Sequence, residues 1–265
     1  MTRASIDLAT RLLQRYVQWR KSPIVLMYHS LTTDSRDSSR WSVLEGDFLA
    51  QMEFLREHGW TFFRVSDLAH HGPFPSRAVA ITFDDGYVDN FCGGFEVLAN
   101  RGICASWYLV SACLGRMSCW QDPASGPKAM LSGAQVREMH LAGMEIGAHS
   151  RHHIPLAGLS EQRLEDEIAG SKKELEDILQ QPVTSFAYPY GVYDQTSIGA
   201  VRKCGFACSV TTNTGFVAKL PSLFEIPRVG IFREDSLSTF VRKLIVADTE
   251  VSWRSLAPKI ARRFA

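Results

Sequence analysis

The sequence predicts an α/β protein: a distorted (β/α) barrel with a helix at each end. Three observations point there. Short apolar runs, too short for helices and apolar on both faces, alternate with amphipathic segments over about 230 residues. The chain of 265 residues, 45% apolar and 22% charged, can bury roughly three-quarters of its unfolded surface without a disulfide or metal staple. Polar residues suited to chemistry follow several different strands, as at the top of a barrel. A doubly wound sheet would gather them at one switch point, and no G-x-G-x-x-G is present.

The predicted strands are Ile24–Tyr28, Ala78–Phe83, Ala105–Val110, Met144–Ala148, Ser185–Tyr188, Ala207–Val210 and Glu225–Val229. Helices fit between them. Asp47–His58 places Phe48, Met52 and Leu55 on one face and stops at Gly59. Ser132 with Gln135 reads as a capping box opening a helix that ends at Gly143. Ser160 caps a long run with Leu164, Ile168, Leu175, Ile178 and Leu179 as its buried stripe. With no repeat, low-complexity tract or long Gly/Ser linker, residues 23–250 form one domain, flanked by an amphipathic helix at 1–22 and a basic helix at 251–265.

Net charge is +1, which gives no reason to expect nucleic acid as a partner. The charge is unevenly spread. Residues 1–21 carry five basic groups against Asp7, and residues 251–265 carry Arg254, Lys259, Arg262 and Arg263 against no acid, so the two ends hold +8 and the rest −7. Ile6, Ala9, Leu12, Leu13, Tyr16 and Val17 share a helical face, with Asp7, Arg11 and Arg15 opposite; Trp253, Leu256, Ile260 and Phe264 keep a similar spacing around Pro258. These ends are expected to pack on the body or to touch an anionic membrane surface. Met1–Lys21 lacks the apolar core and cleavage site of a signal peptide, and no run approaches the ~20 apolar residues of a membrane span. The expected location is the cytoplasm, peripherally at the inner membrane face if the ends bind lipid. Cys92, Cys104, Cys113, Cys119, Cys204 and Cys208 form no C-x-x-C and are expected to be free, mostly buried thiols. The oligomeric state is left open.

Three motifs carry chemistry. Ile81-Thr82-Phe83-Asp84-Asp85-Gly86 closes a strand. It reads as an ordinary turn, since Asp tolerates turn geometry and Gly supplies positive φ. It reads equally as a site in which one carboxylate binds a metal and its neighbour stays free as a base. His149-Ser150-Arg151-His152-His153 crowds three histidines into five residues. Its outer pair, four apart, can reach one ion from a single helical turn, although surface or core histidines are the commoner use of such a pair. With one carboxylate it completes an open Asp/His/His site suited to zinc-like ions rather than the Mg²⁺ of a phosphatase. Phe186-Ala187-Tyr188-Pro189-Tyr190-Gly191 is by itself a strand ending in a Pro/Gly turn, yet a rigid turn there can aim a backbone N–H at a developing oxyanion.

Taken together, Thr-Phe-Asp-Asp-Gly, His-Ser-x-x-His and Tyr-Pro-Tyr-Gly, in this order and spacing, resemble the polysaccharide deacetylase family with the NodB homology domain (carbohydrate esterase family 4), over about residues 23–235. The opening Val25-Leu26-Met27-Tyr28-His29 is similar to the branch that includes poly-N-acetylglucosamine deacetylases. The resemblance implies metal-dependent removal of acetyl from an N-acetylhexosamine unit of a polysaccharide, oligosaccharide or glycoconjugate precursor. It implies Asp84 as general base, Asp85, His149 and His153 as ligands of Zn²⁺ (or Co²⁺ or Ni²⁺), and the Tyr190 N–H as oxyanion donor. Tyr28, Tyr188, Pro189 and Gly191 would contact substrate. Two departures stand out. Ala187 occupies the place of the family's usual Arg, and no His follows His153 to supply the late Leu-x-His motif. In the branch that the sequence resembles, a histidine on the first strand takes this place, which makes His29 the candidate acid; Arg228, approaching from the last strand, is the candidate partner of Asp84. The competing readings are an N-deacetylase of a small aminosugar-containing metabolite and a carbohydrate-binding member of the fold that has lost catalysis.

Overall fold

The computed structural model of the chain describes residues 6–8, 10, 22–69, 74–120, 126–217 and 222–252. Strand β1 (Ile24–Tyr28) is followed by the short β2 (Ser30–Thr32) and β3 (Ser42–Leu44), then helix α1 (Glu45–Glu57) and β4 (Thr61–Phe62). Next come β5 (Ala78–Phe83), a π-helical turn (Asn90–Phe95) running into α2 (Glu96–Ala99), β6 (Ser106–Leu109), α3 (Gly133–Leu141) and β7 (Glu145–Ala148). The chain continues through α4 (Glu161–Leu179), β8 (Ser185–Ala187), α5 (Gln195–Lys203), β9 (Cys208–Val210), β10 (Val229–Gly230) and α6 (Leu237–Val246).

The main sheet runs β10-β1-β5-β6-β7-β8-β9, every pairing parallel, with β4 joined to the start of β5. It curls into a barrel that stays open between β9 and β10, where a bridge from Val210 to Ile226 stands in place of a ladder. Parallel pairing brings the C-terminal ends of all these strands to one rim.

Strand periodicity sorts the side chains into two layers. Ile24, Leu26 and Tyr28 of β1 and Val79, Ile81 and Phe83 of β5 join the main core under the helices, where Phe48, Met52 and Leu55 of α1 meet them. The alternate residues Val25, Ala78 and Ala80 belong to a second cluster with Tyr108, Ala187, Cys208 and Val210, inside the barrel. The Phe83 and Trp107 rings stack at 4.9 Å in the outer layer.

The helix starts follow their caps. Ser132 accepts from the Gln135 N–H in a complete capping box, and Ser160 accepts from the Arg163 N–H. Helix α5, with its Asp194/Ser197 capping box, and helix α6 behind Ser236 have no counterpart in the sequence reading. The predicted strand at Glu225–Val229 shrinks to Val229–Gly230. Ile226 donates to Ser209 O, Pro227 has no N–H, and Arg228 donates to Asn213 O, so the chain cannot join the β1 ladder earlier. The cysteines are all free, but the expectation of mostly buried thiols is corrected. Cys113 and Cys208 are buried and Cys104 and Cys204 half-buried, whereas Cys92, on the π-helical turn, and Cys119, in the connection after β6, are exposed.

The two helices expected at the termini fall almost wholly outside the described residues, Trp253, Leu256, Pro258, Ile260 and Phe264 included. Ile6 packs against the core, and Asp7 accepts from Arg242 at 3.0 Å rather than facing away. Among the described residues no helix is long and apolar enough to cross a membrane.

Candidate active site

β1 alternates outward, inward, outward, so parity turns His29 inward just past the strand. β5 delivers Thr82 and Asp84 to the interior by the same rule. His29, Asp84, Asp85, His149, His153 and Tyr190 then converge on a rim cleft of about 270 Å³, further walled by Trp41, Tyr87, Trp120 and Lys128.

Asp84 is 2% exposed and continues the sheet, its N–H donating to Tyr28 O at 3.0 Å. Both its oxygens accept from Arg228, at 2.6 Å from Nη1 and 2.6 Å from Nη2. Arg228 is itself fully buried, and Nε donates to Thr211 O at 2.9 Å while Nη1 also donates to Thr82 Oγ1 at 3.1 Å. Burial alone would raise the Asp84 carboxyl; the guanidinium outweighs it and holds the group well below the usual carboxylate range. Asp84 is therefore ionised, and each oxygen keeps a lone pair for a further proton donor.

Asp85 sits one residue on at φ 73, which swings its carboxylate away from Arg228 and toward the histidines. Its Oδ1 lies 3.5 Å from His149 Nε2 and 3.3 Å from His153 Nε2, yet is buried with no hydrogen-bond partner. His149 Nδ1 is 2.8 Å from Ala187 O, a contact that puts the ring proton on Nδ1 and leaves the Nε2 lone pair facing Asp85. Burial first, and the His29 imidazole second for His153, push the two histidines down to about 4 and about 3. Both rings are then neutral at ordinary pH. The His149 lone pair and the carboxylate oxygen it faces repel one another, and a divalent cation between them removes the repulsion. The donor set, one carboxylate and two imidazoles within 4.8 Å of one another, fits a zinc-like ion.

The route by which the histidines meet corrects the sequence reading. Residues 149–153 are not a helical turn. Ser150 (φ 61) and His153 (φ 56) are left-handed, and Ser150 Oγ accepts from the His153 N–H at 3.0 Å. Tyr190 (φ 58) is left-handed as well, so four non-glycine residues around one cleft hold a conformation costing about 1 kcal/mol or more each. His153 lies between the Trp120 and Tyr190 rings, each 4.3 Å away.

Not every expected residue reaches the cleft. Tyr28 points the other way, into the core under α1, with its hydroxyl donating to Gln51 Oε1 at 2.7 Å; strand parity puts it on the helix face. Tyr188 lines the cleft but is fully buried, its hydroxyl donating to Phe224 O at 3.2 Å. Pro189 and Gly191 shape the turn instead of lining the cleft. At Gly191 (φ 66) a Cβ would lie 2.0 Å from Thr212 Oγ1. His29 is in place, its ring 4.3 Å from Trp41 and its Nδ1 buried without a partner. The sequence reading missed Trp41, Tyr87, Trp120 and Lys128, which come from connections without periodicity. His152, the middle histidine, turns away to Glu167, whose oxygens also accept from the Arg151 and His152 N–H groups. That second His152/Asp166/Glu167 group is saturated by Arg151 and Arg163 and anchors the loop.

Comparison with known proteins agrees with this arrangement. A family model described as "Polysaccharide deacetylase" matches residues 71–209. The chain is 31% identical over 220 residues to the Bacillus subtilis protein YxkH, whose name places it among these deacetylases, covering 82% of this chain and 74% of that one. It is 25% identical over 240 residues to a poly-β-1,6-N-acetyl-D-glucosamine N-deacetylase of Staphylococcus epidermidis, covering 86% and 81%. In fold it resembles the Streptococcus pyogenes deacetylase PplD, solved with acetate (TM-score 0.74, 23% identity, 84% and 98% covered). IcaB from Ammonifex degensii is similar too (TM-score 0.73, 24% identity, 85% and 98% covered). With the motifs on one rim and the match running through them, the chain belongs to the polysaccharide deacetylase family.

Proposed function

We propose that this protein is a divalent-metal-dependent N-deacetylase that removes acetyl from an N-acetylhexosamine unit of a glycan, poly-β-1,6-linked N-acetylglucosamine being the first substrate to try. The observation that carries the reading is the division of labour between adjacent carboxylates. Asp85 is aimed at two neutral imidazoles, while Asp84 is ionised, tied to Arg228 and free of them.

Asp85, His149 and His153 would hold a divalent ion, which would supply Lewis acidity toward the amide carbonyl and acidify a water. Asp84 takes the proton of the attacking water through the lone pair that Arg228 leaves open. Arg228 fixes the carboxylate's orientation, so the base needs no rearrangement when substrate arrives. The Tyr190 N–H, held out by the Pro189–Gly191 turn, is assigned to the developing oxyanion. Breaking the C–N bond requires a proton on the leaving nitrogen, and His29, beside Asp84 in the β1–β5 register, is the donor. The products are acetate and a free amine. The cleft's aromatic walls suit the apolar faces of a sugar ring.

The test is acetate release from a panel of N-acetylated saccharides, from monosaccharide to β-1,6-linked oligomer, by wild type and Asp84→Asn, each with Zn²⁺, Co²⁺ or Ni²⁺. Acetate release by wild type from an oligomer, lost in Asp84→Asn, is expected. Equal release by both proteins, or none from any N-acetylated sugar, would remove the proposal.

A further inference from the structure

We propose that Cys113 and Cys119 are a reversible disulfide site that clasps the segment carrying Trp120 against the His149–His153 loop. The two Sγ atoms lie 2.9 Å apart, well inside the separation of unrelated sulfurs. A bond of about 2.05 Å needs a further approach of only about 0.9 Å. The chain doubles back to bring them together: Gly115 is left-handed at φ 71, its N–H donates to Leu131 O at 2.8 Å, and the Ser118 N–H donates to Lys128 O at 2.8 Å.

Both cysteines belong to segments that touch the site. Just before Cys113, the Ser111 and Ala112 N–H groups donate to Ser150 O and Arg151 O, at 3.3 and 3.1 Å. Cys119 Sγ is 3.4 Å from His152 O. The next residue, Trp120, lies against the His153 ring, and its Nε1 donates to the Tyr87 hydroxyl at 3.0 Å. A bond between the sulfurs therefore closes a seven-residue loop whose end is a wall of the cleft. Cys119 is exposed and Cys113 buried, which sets the order of events.

The oxidant is a small-molecule disulfide. The Cys119 thiolate attacks it, giving a mixed disulfide and one released thiol. Cys113 then loses its proton and attacks the Cys119 sulfur, expelling the second small thiol. Two protein thiols become one disulfide, and one small disulfide becomes two thiols. No step involves the acetyl-transfer chemistry, so the inference stands independently of the proposed function.

The experiment uses the full chain carrying Cys92→Ser, which removes the other exposed thiol, incubated with excess oxidised glutathione. Non-reducing peptide mapping should show a single link joining residues 113 and 119, two fewer thiols and no retained glutathione, all reversed by dithiothreitol. Amide exchange at Gly115, Arg116 and Ser118 should slow about tenfold in the linked form. In Cys113→Ser, glutathione should stay attached to Cys119. Glutathione retained on Cys119 while Cys113 is intact, a link between other cysteines, unchanged thiol content, or unchanged exchange in the linked form would each overturn the proposal.

Discussion

Replacing Arg228 by Met removes the guanidinium while filling much of its volume, and leaves the Asp84 carboxylate buried without its cation. Four donated hydrogen bonds disappear: two to Asp84 at 2.6 Å, one to Thr82 Oγ1 and one to Thr211 O. Breaking one half of a buried ion pair costs about 3–5 kcal/mol, because the surviving charge is stranded. For a chain of this size that lowers Tm by about 10 °C. Asp84→Asn alone strands Arg228 instead and should cost nearly as much. The double variant strands neither and should lose less than either single one. Urea unfolding of the four metal-free proteins at pH 7 measures the cycle. In Arg228→Met, burial pushes the Asp84 carboxyl upward against only the smaller pull of His149 and His29, so the acid limb of the pH–rate profile should also move up. If the double variant's loss equals the sum of the single losses and the acid limb stays put, the pair is not a coupled unit and the reasoning fails.

Four further outcomes are expected. Asp84→Asn should keep its divalent ion and lose activity by roughly 10²–10⁴-fold, whereas Asp85→Asn should lose the ion itself; elemental analysis beside acetate release separates the two. The metal-free protein should lose stability as pH falls from 6.5 toward 4. His149 and His153 stay neutral when folded but gain protons when unfolded, so the unfolded chain binds more protons and stability drops by up to about 1.4 kcal/mol per pH unit for each. A flat urea midpoint across that window would contradict the burial of these rings. Gly191→Ala combines a left-handed φ with a 2.0 Å clash on Thr212 and should cost about 2 kcal/mol or more while displacing Tyr190, read as a lower melting temperature and slower turnover. His29→Ala should lower kcat more than it changes KM and erase the alkaline limb of the pH–rate profile; an unchanged profile would assign the leaving-group proton elsewhere.

The parts of the site legible in the sequence are those in which one chain segment does the placing. Asp84 and Asp85 follow an apolar strand, and a parallel sheet buried on both faces must put such residues at its rim. The His149–His153 spacing pointed to a shared ligand although the loop is not helical. What spacing conveys is reach, and two left-handed residues supply the same reach as a helical turn. Tyr28 went wrong for the opposite reason. The resemblance placed it at the substrate beside His29, but strand periodicity sends neighbours to opposite faces. Trp41, Trp120 and Lys128 were not legible, because their approach depends on connections whose course no periodicity encodes.

Arg228 shows how a barrel tolerates the relocation of a functional group. It is 144 residues from Asp84 in sequence, yet β10 and β5 both flank β1, which brings their inward residues together across one strand. By the resemblance, Ala187 stands where the family usually has this cation, and it is a small residue in the interior cluster with Tyr108. The Arg228 guanidinium lies 5.6 Å over that same Tyr108 ring. One buried carboxylate can neutralise one buried guanidinium, and a second would be stranded at a cost of several kcal/mol. A small residue at 187 and a cation at 228 are therefore a matched pair: the space vacated on one strand and the charge supplied from another keep Asp84 oriented and ionised. On the proposed mechanism, what Asp84 needs is the position and charge of its partner group, and here that group comes from the approach to β10.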